Sequence, residues 1–577
     1  MGLTDRLRRP APPPPPAPDA PSAYGNLNEI LTDSYSPALI LPKRSEDQPA
    51  YKIYYSHLRH VIAALAAQAP FSHCQPRDVI TFLIPNSLEN VAVFFATTSV
   101  RAIANPLNPS YTAEEIAYYL KDVGSKAVVV PQGDKSILEN VKKAVESVGG
   151  GIPIFEVFAD VGQVLRKDRP VRKLREKRVA VIDPVVNAKL VVGSSASSLG
   201  RPVQPEQRGA PVADDVALML HTSGTTGRPK GVPLSHGNIL RTLKNIEETY
   251  RLSAGDTSYL VMPLFHVHGL IGALLSTFHS GGTVVVPPKF SVTHFWTDFI
   301  EHGATWYSAV PTIHQMLLLK AKETYKGNSG KLRFIRSCSS SLAPATLFQL
   351  EKTFRAPVIE AYAMSEAAHQ MTANFLPPGM RKPGSVGKGR GVEVRILDGE
   401  GKPVKFRATG EVCIRGANVI TAYHNNEKAT AESFFSDSIS PSAGKWFRTG
   451  DLGYIDEMGF LFLVGRIKEQ INRGGEKISP IEIDQVLLQC RGVGEAVTFG
   501  VDSAVYGQEI EAAVVAKDEY KGKLKEADVI AHAKKSLAAF KVPRKIHVVD
   551  AVPKTATGKV QRGHVADAFA AASKAKL

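Results

Sequence analysis

The spacing of apolar residues alternates between helical and strand periods from Tyr24 to Gln163. Helical spacing runs through Tyr54–Ala67 and Leu88–Thr98, whereas Val79–Ile84 and Ala127–Val130 are short apolar runs typical of buried strands. Strand, helix and strand following one another at this distance indicate βαβ units. This part of the chain therefore predicts an α/β fold built on a mostly parallel sheet.

The longest apolar run is Gly269–Phe278, with a histidine on either side. It is much shorter than the roughly 18 residues that a spanning helix needs. We interpret it as a buried core segment and expect no transmembrane segment. The N-terminus lacks the apolar stretch of a secretory signal peptide.

The pattern changes after Gly465–Lys468, where a helix start is followed by two strand-like runs, Glu495–Val501 and Ile510–Val515, and a second helix. These elements are typical of a compact α+β unit. We therefore predict a large N-terminal domain with mixed sheets and helices over residues 24–466, and a small C-terminal domain over residues 467–577.

Two segments are expected to add little to the core. Residues 1–23 include the run Pro12–Pro16, and because proline blocks helix formation they are predicted to be a disordered Pro-rich tail. Residues 166–214 begin with eight Lys and Arg residues within Arg166–Arg178 and continue into a stretch rich in Ser, Pro and Gly. We interpret them as a basic surface insertion, with a solvated loop favoured over a nucleic-acid or lipid patch.

Composition excludes a wholly disordered chain and leaves several anionic partners open. The 70 Lys and Arg residues exceed the 55 Asp and Glu residues by 15, which suits nucleic acid, an anionic membrane or a polyanionic cofactor. We expect no nucleic-acid partner, because the basic cluster contains no aromatic platform. The widely spaced cysteines Cys74, Cys338, Cys413 and Cys490 indicate buried, reduced thiols rather than a metal or disulfide framework.

A loop rich in glycine and hydroxyl residues follows the strand-like segment Leu218–Leu220. We name residues Thr222–Lys230 the phosphate loop, because its backbone N–H and hydroxyl groups can turn toward an anion and Lys230 adds positive charge. It is not a Walker A loop, since Pro229-Lys230-Gly231 stands in place of the Gly-Lys-Ser/Thr triplet. A plain flexible loop is the alternative interpretation.

With three later motifs the phosphate loop resembles the adenylate-forming superfamily of acyl-CoA synthetases, luciferases and peptide-synthetase adenylation domains. The later motifs are Glu360–Glu366, Trp446–Asp451 followed by Val464–Lys468, and Pro553–Val560, in the superfamily's order. The resemblance implies an AMP-forming acid–thiol ligase: a carboxylate attacks ATP to give an acyl-AMP and pyrophosphate, and the thiol of coenzyme A then displaces AMP. The implied cofactors are ATP, Mg²⁺ and coenzyme A.

The resemblance also implies which residues bind the nucleotide. Ala361 and Tyr362 pack along the adenine, Asp451 accepts the ribose hydroxyls, and Arg466 contacts ribose or phosphate. Ser365 reaches the α-phosphate. The full implied ATP- and AMP-binding set is Thr222, Ser223, Gly224, Thr225, Thr226, Gly227, Lys230, Ala361, Tyr362, Ser365, Asp451, Arg466 and Lys559.

Three of the implied site residues carry the chemistry. Lys230 and Lys559 supply positive charge where negative charge develops, and Glu366 binds Mg²⁺, a hard cation suited to a carboxylate. In this superfamily the small domain is mobile. The resemblance places its hinge at Lys468 and the coenzyme A arm beside Gly474–Gly475, although a Gly-Gly pair is also typical of a plain tight turn.

Four further segments are Met262–Gly269, Trp306–Gln315, Ser337–Ser341 and Asn472–Pro480. They resemble the corresponding segments of ligases that act on short dicarboxylates, oxalate in particular. Burying a second carboxylate requires hydrogen-bond donors or a cation, so His268 and His369 are candidate partners, with packed core histidines as the alternative. We expect oxalate, and leave malonate or another short dicarboxylate open. The candidate acid-binding residues are His266, His268, Ser339, Ser340, Ser341 and His369.

The chain's last residues, Ala575-Lys576-Leu577, resemble the Ser-Lys-Leu peroxisomal address. We therefore expect recognition by the peroxisomal import receptor and a location in peroxisomes, and otherwise in the cytoplasm. Two other classes of function remain open. One is an adenylation enzyme that loads a carrier protein, and the other is a catalytically silent binding protein, which intact Lys559, Glu366 and Asp451 argue against.

Overall fold

The computed structural model describes most of the chain. Its strands form four sheets, of nine, seven, five and five strands in the described residues. The predicted tail at 1–23, the loop 223–228, Lys559 and the C-terminal Ala575–Leu577 lie outside the described residues. The described residues are 24–43, 50–164, 183–192, 199–222, 229–327, 331–436, 444–554, 560 and 562–574.

The nine-stranded sheet carries a run of parallel strands in its middle, with antiparallel pairs at both ends. Parallel strands occur in sheets covered on both faces, and the central strands are accordingly buried. In spatial order the strands are Lys388–Gly389, His369–Ala373, Val358–Met364, Phe334–Ser337, Trp306–Ala309, Thr257–Tyr259, Thr283–Val285, Pro37–Leu41 and Tyr51–Tyr54.

The seven-stranded sheet is also parallel at its centre and antiparallel at its two edges. It contains both strands expected in the first part of the chain, so the mostly parallel sheet is confirmed. In spatial order its strands are Asp183–Val192, Ile154–Val164, Ser125–Pro131, Val79–Phe82, Ile103–Pro106, Val216–Thr222 and Lys230–Ser235.

The segment 166–214 is not simply a surface loop. Asp183–Val192 forms a strand antiparallel to Ile154–Val164, so part of the insertion extends the sheet. Further along, Arg208 is only 7% exposed and donates hydrogen bonds to the backbone carbonyls of Cys74 and Ser72. The Ser-, Pro- and Gly-rich composition did not indicate these tertiary contacts. Residues 165–182, which hold most of the basic cluster, lie outside the described part.

Two five-stranded sheets follow along the chain. The Trp446 sheet is antiparallel and consists of Glu393–Leu397, Gly410–Arg415, Phe434–Phe435, Trp446–Ile455 and Leu461–Arg466. The C-terminal sheet consists of Ile471–Arg473, Glu476–Ile478, Val493–Ser503, Gly507–Ala516 and Lys545–Val549. No strand described here is shared between them, and the 3-10 turn Ile467–Glu469 connects them.

Helices surround the sheets, and several begin at the capping residues that the sequence supplies. Thr112 and Glu115 form a reciprocal capping box, and Ser87 and Asp134 accept from backbone N–H groups one turn later. The α-helices are Tyr55–Ala66, Leu88–Ser99, Ala113–Val123, Lys135–Ser147, Pro205–Arg208, His236–Tyr250, Val267–Gly269, Ser276–His279, Phe295–Glu301, Pro311–Leu319, Ala321–Thr324, Pro344–Phe354, Glu427–Ser433, Pro480–Leu487, Glu526–Ser536 and Arg562–Lys574.

The largest hydrophobic cluster joins the nine-stranded, seven-stranded and Trp446 sheets, whereas the C-terminal sheet packs around its own cluster, which includes Ile483 and Val529. The apolar run Gly269–Phe278 is buried in the larger cluster, as expected. Part of it, Leu270–Leu275, is a π-helical turn, a feature that often occurs at functional sites. Among the described helices, none has both the length and the apolar character needed to cross a membrane.

Candidate active site

The phosphate loop connects two antiparallel strands of the seven-stranded sheet. Thr222 ends the first strand and lies opposite Lys230, which begins the second. The sequence pattern did not predict this second strand. Ser223, Gly224, Thr225, Thr226 and Gly227 lie outside the described residues.

Lys230, Tyr423 and Glu366 form one contiguous group. The Lys230 ammonium lies 4.6 Å from the centre of the Tyr423 ring, and the Tyr423 hydroxyl donates to Oε1 of Glu366 over 2.9 Å. Burial raises the pKa of Glu366 above its ordinary value, while the Tyr423 hydrogen bond and the charges of Arg466 and Lys230 oppose that rise. A buried carboxylate is therefore held beside two cations.

Asp451, Tyr362 and Arg466 form a second group next to the first. Asp451 is 7% exposed and accepts a hydrogen bond from the Tyr362 hydroxyl. Arg466 faces it across the strand pair, with Nε 3.1 Å from Oδ1 of Asp451. Burial alone would lower the pKa of the Arg466 guanidinium, but the negative charges of Asp451 and its acidic neighbours together outweigh that effect, and the net shift is upward. The charged Asp451–Arg466 pair is thereby held in a fixed geometry.

Ser365 and Glu366 lie on the short 3-10 turn Ser365–Ala367 between two strands of the nine-stranded sheet. The next residues, Ala368 and His369, have positive φ angles of 48° and 104°. Such angles are costly for residues other than glycine and cluster at functional sites. Along the chain, this turn places Glu366 three positions and Ser365 four positions before His369. Ala361 is buried on the strand that leads into the turn.

We name His268, Ser308, Ser339 and His369 the histidine–serine cluster. Nδ1 of His268 lies 3.0 Å from Oγ of Ser339, and its Nε2 lies 2.6 Å from Oγ of Ser308. The His268 and His369 rings stack with centroids 5.3 Å apart. Burial, and then the charge of Arg336, lower the pKa of both histidines well below the usual value, so both are neutral at pH 7.

The other three candidate acid-binding residues are more accessible. Ser340 and Ser341 are exposed, and the Ser340 hydroxyl donates to the backbone carbonyl of Ser339. His266 is partly buried, and its Nδ1 accepts from the backbone N–H of His268 over 3.2 Å. A Cβ atom at Gly272, on the π-helical turn, would overlap the ring of His369. The missing side chain at Gly272 therefore makes room for that histidine.

Three residues join these groups without having been singled out in the sequence. Tyr423 connects Lys230 to Glu366, Ser308 contacts His268, and Arg336 donates to His369 over 2.8 Å. Tyr423 stands in no recognisable motif, and Ser308 lies in the segment Trp306–Gln315, whose resemblance to dicarboxylate ligases assigned it no individual role. Arg336 could have been recognised in the sequence, because it is a charged residue within the short strand Phe334–Ser337. All four residues of that strand are buried, and a buried cation is unusual.

The predicted coenzyme A and hinge residues lie at the start of the C-terminal sheet. Gly474 and Gly475, with φ angles of 61° and 93°, form the two-residue turn between Ile471–Arg473 and Glu476–Ile478. A turn with two positive φ angles favours glycine at both positions. The interpretation of this pair as a tight turn therefore holds, and its role in coenzyme A binding stays a prediction. Lys468 is exposed on the 3-10 turn that connects the two five-stranded sheets.

Comparison with known proteins agrees with this geometry. Residues 37–424 match the AMP-binding enzyme family, and residues 482–559 match the AMP-binding enzyme C-terminal domain. The chain belongs to the AMP-binding enzyme family, and the predicted resemblance to adenylate-forming enzymes is confirmed.

Individual relatives match over nearly the whole chain. The oxalate–CoA ligase of Saccharomyces cerevisiae is 43% identical over 567 residues, which cover 96% of this chain and 99% of that protein. The oxalate–CoA ligase of Arabidopsis thaliana is 44% identical over 498 residues, covering 86% and 89%. Among solved structures, ATP-bound MatB from Rhodopseudomonas palustris superposes with a TM-score of 0.76 at 27% identity, covering 94% of this chain and 99% of MatB.

The Asp451 group gives a first testable prediction. Asp451→Asn should raise the KM for ATP at least about tenfold. The substitution removes the negative charge that pairs with Arg466 and that would accept the ribose hydroxyls. Hydrogen bonds to charged groups contribute about 1.5–3 kcal/mol, which corresponds to a change of this size. Glu457→Gln is the matched control: Glu457 lies in the turn between the last two strands of the same sheet, and the substitution breaks its exposed ion pair with Arg407. An unchanged KM for ATP in Asp451→Asn would remove Asp451 from the nucleotide site.

Proposed function

We propose that this protein is an ATP-dependent oxalate–CoA ligase that forms oxalyl-CoA through an oxalyl-adenylate, releasing pyrophosphate and AMP. The observation that carries the proposal is the histidine–serine cluster, a largely buried polar group whose last member, His369, follows Glu366 by three residues. Identity of 43% to an oxalate–CoA ligase over 96% of the chain supports it.

In the first step a carboxylate oxygen of the acid attacks the α-phosphorus of ATP, and the bond to pyrophosphate breaks. Both reactants are anions, so the positive charges must stand where negative charge develops. Lys230 and Arg466 are placed for this by their contacts with Tyr423 and Asp451. We assign Ser365 and the phosphate loop to the phosphates, Ala361 and Tyr362 to the adenine, Asp451 to the ribose, and Lys559 to the developing charge.

Glu366 fits a magnesium ion. Its carboxylate is buried, its pKa is raised by that burial, and Oε1 accepts a hydrogen bond from Tyr423. A hard divalent cation shared with phosphate oxygens would compensate the buried negative charge. Bound there, Mg²⁺ would neutralise charge on the phosphates. Glu366 would hold the ion, and Tyr423 would fix the orientation of the carboxylate.

Two features support a short dicarboxylate as the acid. A second carboxylate is stable in a buried site only with donors or a cation, and the histidine–serine cluster offers imidazole and hydroxyl groups. The rings of His268 and His369 also occupy space that a longer acid would need. We retain Ser339 in this role, while the exposed Ser340 and Ser341, with His266, are assigned to the entrance of the site.

In the second step the thiol of coenzyme A attacks the acyl carbon, and AMP leaves. We propose that the unit after residue 466 turns about Lys468 between the two steps, so that Lys559 serves the first and Gly474–Gly475 the second. The isolation of the C-terminal sheet from the other sheets in the described residues is compatible with such a rotation.

Release of AMP from ATP tests the class of reaction. With oxalate, free coenzyme A should stimulate AMP release through many turnovers and yield oxalyl-CoA of the expected mass. Without a thiol, the reaction should stop after about one adenylate per active site. A carrier-loading enzyme would not turn over with free coenzyme A, and a silent binding protein would release no AMP at all.

For location, we propose import into peroxisomes through Ala575-Lys576-Leu577. Deleting these three residues should move an N-terminally fluorescent protein from peroxisomes to the cytosol and leave its specific activity unchanged, because they follow the last implied catalytic residue. A deletion of equal length within the tail at 1–23 is the control. Identical distributions of full-length and C-terminally truncated proteins would contradict the address.

A further inference from the structure

Arg336 is a completely buried cation that the proposed reaction has not yet used. Four of its five N–H groups donate to neutral partners. Nε donates to the Tyr250 hydroxyl over 2.8 Å, one terminal nitrogen donates to Ser308 over 3.1 Å and His369 over 2.8 Å, and the other donates to Gln370 over 3.2 Å. All of these partners are buried: Ser308, His369 and Gln370 lie on strands of the nine-stranded sheet, and Tyr250 ends the helix His236–Tyr250.

No carboxylate pairs with Arg336 in the described part of the chain. Tyr250 and Cys338 lie close to it, but burial raises the pKa of both, so neither is an anion at neutral pH. An isolated buried charge costs several kcal/mol unless it is paired. Arg333, three positions earlier, shows the usual solution, because it is bound to the carboxylate of Asp256.

One chain of hydrogen bonds runs from Arg336 through Ser308 and His268 to Ser339. A guanidinium can only donate, so Ser308 accepts from Arg336. The Ser308 proton then goes to Nε2 of His268, because Ser308 is 2% exposed and no other acceptor lies within reach of it in the described residues. Neutral His268 therefore carries its proton on Nδ1 and donates it to Ser339. The Ser339 hydroxyl is left to donate to a ligand.

A second chain runs through His369. Its Nε2 must accept from Arg336, so the proton of the neutral ring is on Nδ1. That Nδ1 is buried and has no hydrogen-bond partner among the described residues. The opposite edge of the ring, Nε2 and Cδ2, faces Gly272, so Nδ1 points away from the π-helical turn. A buried N–H without an acceptor is costly and calls for a ligand oxygen.

We propose that Arg336 is the positioning residue that makes this site specific for a second carboxylate. It acts through two donor chains that end in the Ser339 hydroxyl and the His369 Nδ1–H, and it supplies the positive countercharge behind them. An acid that lacks the second carboxylate leaves both donors and the countercharge unsatisfied. This inference rests on the proposed oxalate–CoA ligase activity.

The test compares oxalate with oxamate, which has the same size and the same reacting carboxylate but a neutral amide in place of the second carboxylate. The wild-type kcat/KM should favour oxalate at least about 100-fold. Arg336→Met should lower kcat/KM for oxalate about 100-fold, mainly through KM, with a loss for oxamate below about tenfold. Arg336→Lys should keep part of the preference because it keeps the charge.

Arg333→Met is the matched control, and its preference for oxalate should equal that of the wild type. If Arg336→Met does not fold, Ser308→Ala provides the test. This substitution interrupts the chain of hydrogen bonds from Arg336 to Ser339 and leaves Arg336 in place. The preference of the variant for oxalate over oxamate should fall about tenfold. Equal losses for both acids, or an unchanged preference, would overturn the inference while the ligase activity stands. Absence of oxalate turnover by the wild type would overturn both.

Discussion

Lys559→Ala should abolish formation of the acyl-adenylate and leave the thiol step largely intact. We expect at least a 100- to 1,000-fold loss in the first half-reaction, measured as oxalate-dependent exchange between pyrophosphate and ATP, since removal of one group that stabilises developing charge has about this effect. The reason for the asymmetry is that Lys559 belongs to the C-terminal unit, which is proposed to meet the ATP site in only one of two orientations.

The second half-reaction is measured separately, from preformed oxalyl-AMP and coenzyme A. Its rate in Lys559→Ala should stay within a few-fold of the wild type. Lys521→Ala is the matched control, because Lys521 forms an exposed ion pair with Asp518 within the C-terminal unit and should be neutral in both half-reactions. Equal losses in the two half-reactions would remove the proposed role of Lys559.

His268→Phe should lower kcat/KM for oxalate about 100-fold or more while the KM for ATP stays unchanged. The substitution removes two hydrogen bonds at once, to Ser308 and to Ser339, and leaves the buried Ser308 hydroxyl and the half-buried Ser339 hydroxyl without their partner. It also places an apolar ring where the second carboxylate would lie. Steady-state kinetics with oxalate and with ATP as the varied substrates measure the two effects.

His268→Gln should recover part of the loss, because an amide can both donate and accept. The same change from histidine to phenylalanine at His294, an exposed loop position, should have no effect on either substrate. If His268→Phe lowered kcat/KM for ATP and for oxalate by the same factor, the histidine would be a packed core residue, which is the alternative interpretation of the sequence.

The nucleotide side of the site could be predicted from the sequence to a large extent. Tyr362, Glu366, Asp451 and Arg466 stand in motifs whose order along the chain is recognisable, and the structure brings all four together. Glu366 and Arg466 lie where a strand meets a 3-10 turn, and local sequence determines such geometry, whereas Asp451 lies within the strand Trp446–Ile455. Their individual roles in catalysis stay predictions.

The acid side could be predicted only in part. His268 and Ser339 were expected near one another, but the contacts that orient them come from Ser308 and Arg336, on neighbouring strands far apart in the chain. Pairing between parallel strands depends on tertiary packing, which a single sequence does not reveal. The same holds for Asp183–Val192, whose strand is stabilised by a partner more than twenty residues earlier.

The most direct test of the account is a competition in which one enzyme sample receives ATP, coenzyme A and an equimolar mixture of oxalate, malonate, acetate and coumarate. The ratios of the CoA thioesters, determined by mass spectrometry at low conversion, give the ratios of kcat/KM. We predict oxalyl-CoA as the main product, about 10–200-fold over malonyl-CoA for the single added methylene and far more over acetyl-CoA. A higher yield of coumaroyl-CoA than of oxalyl-CoA would contradict the dicarboxylate assignment and leave only the adenylate-forming chemistry.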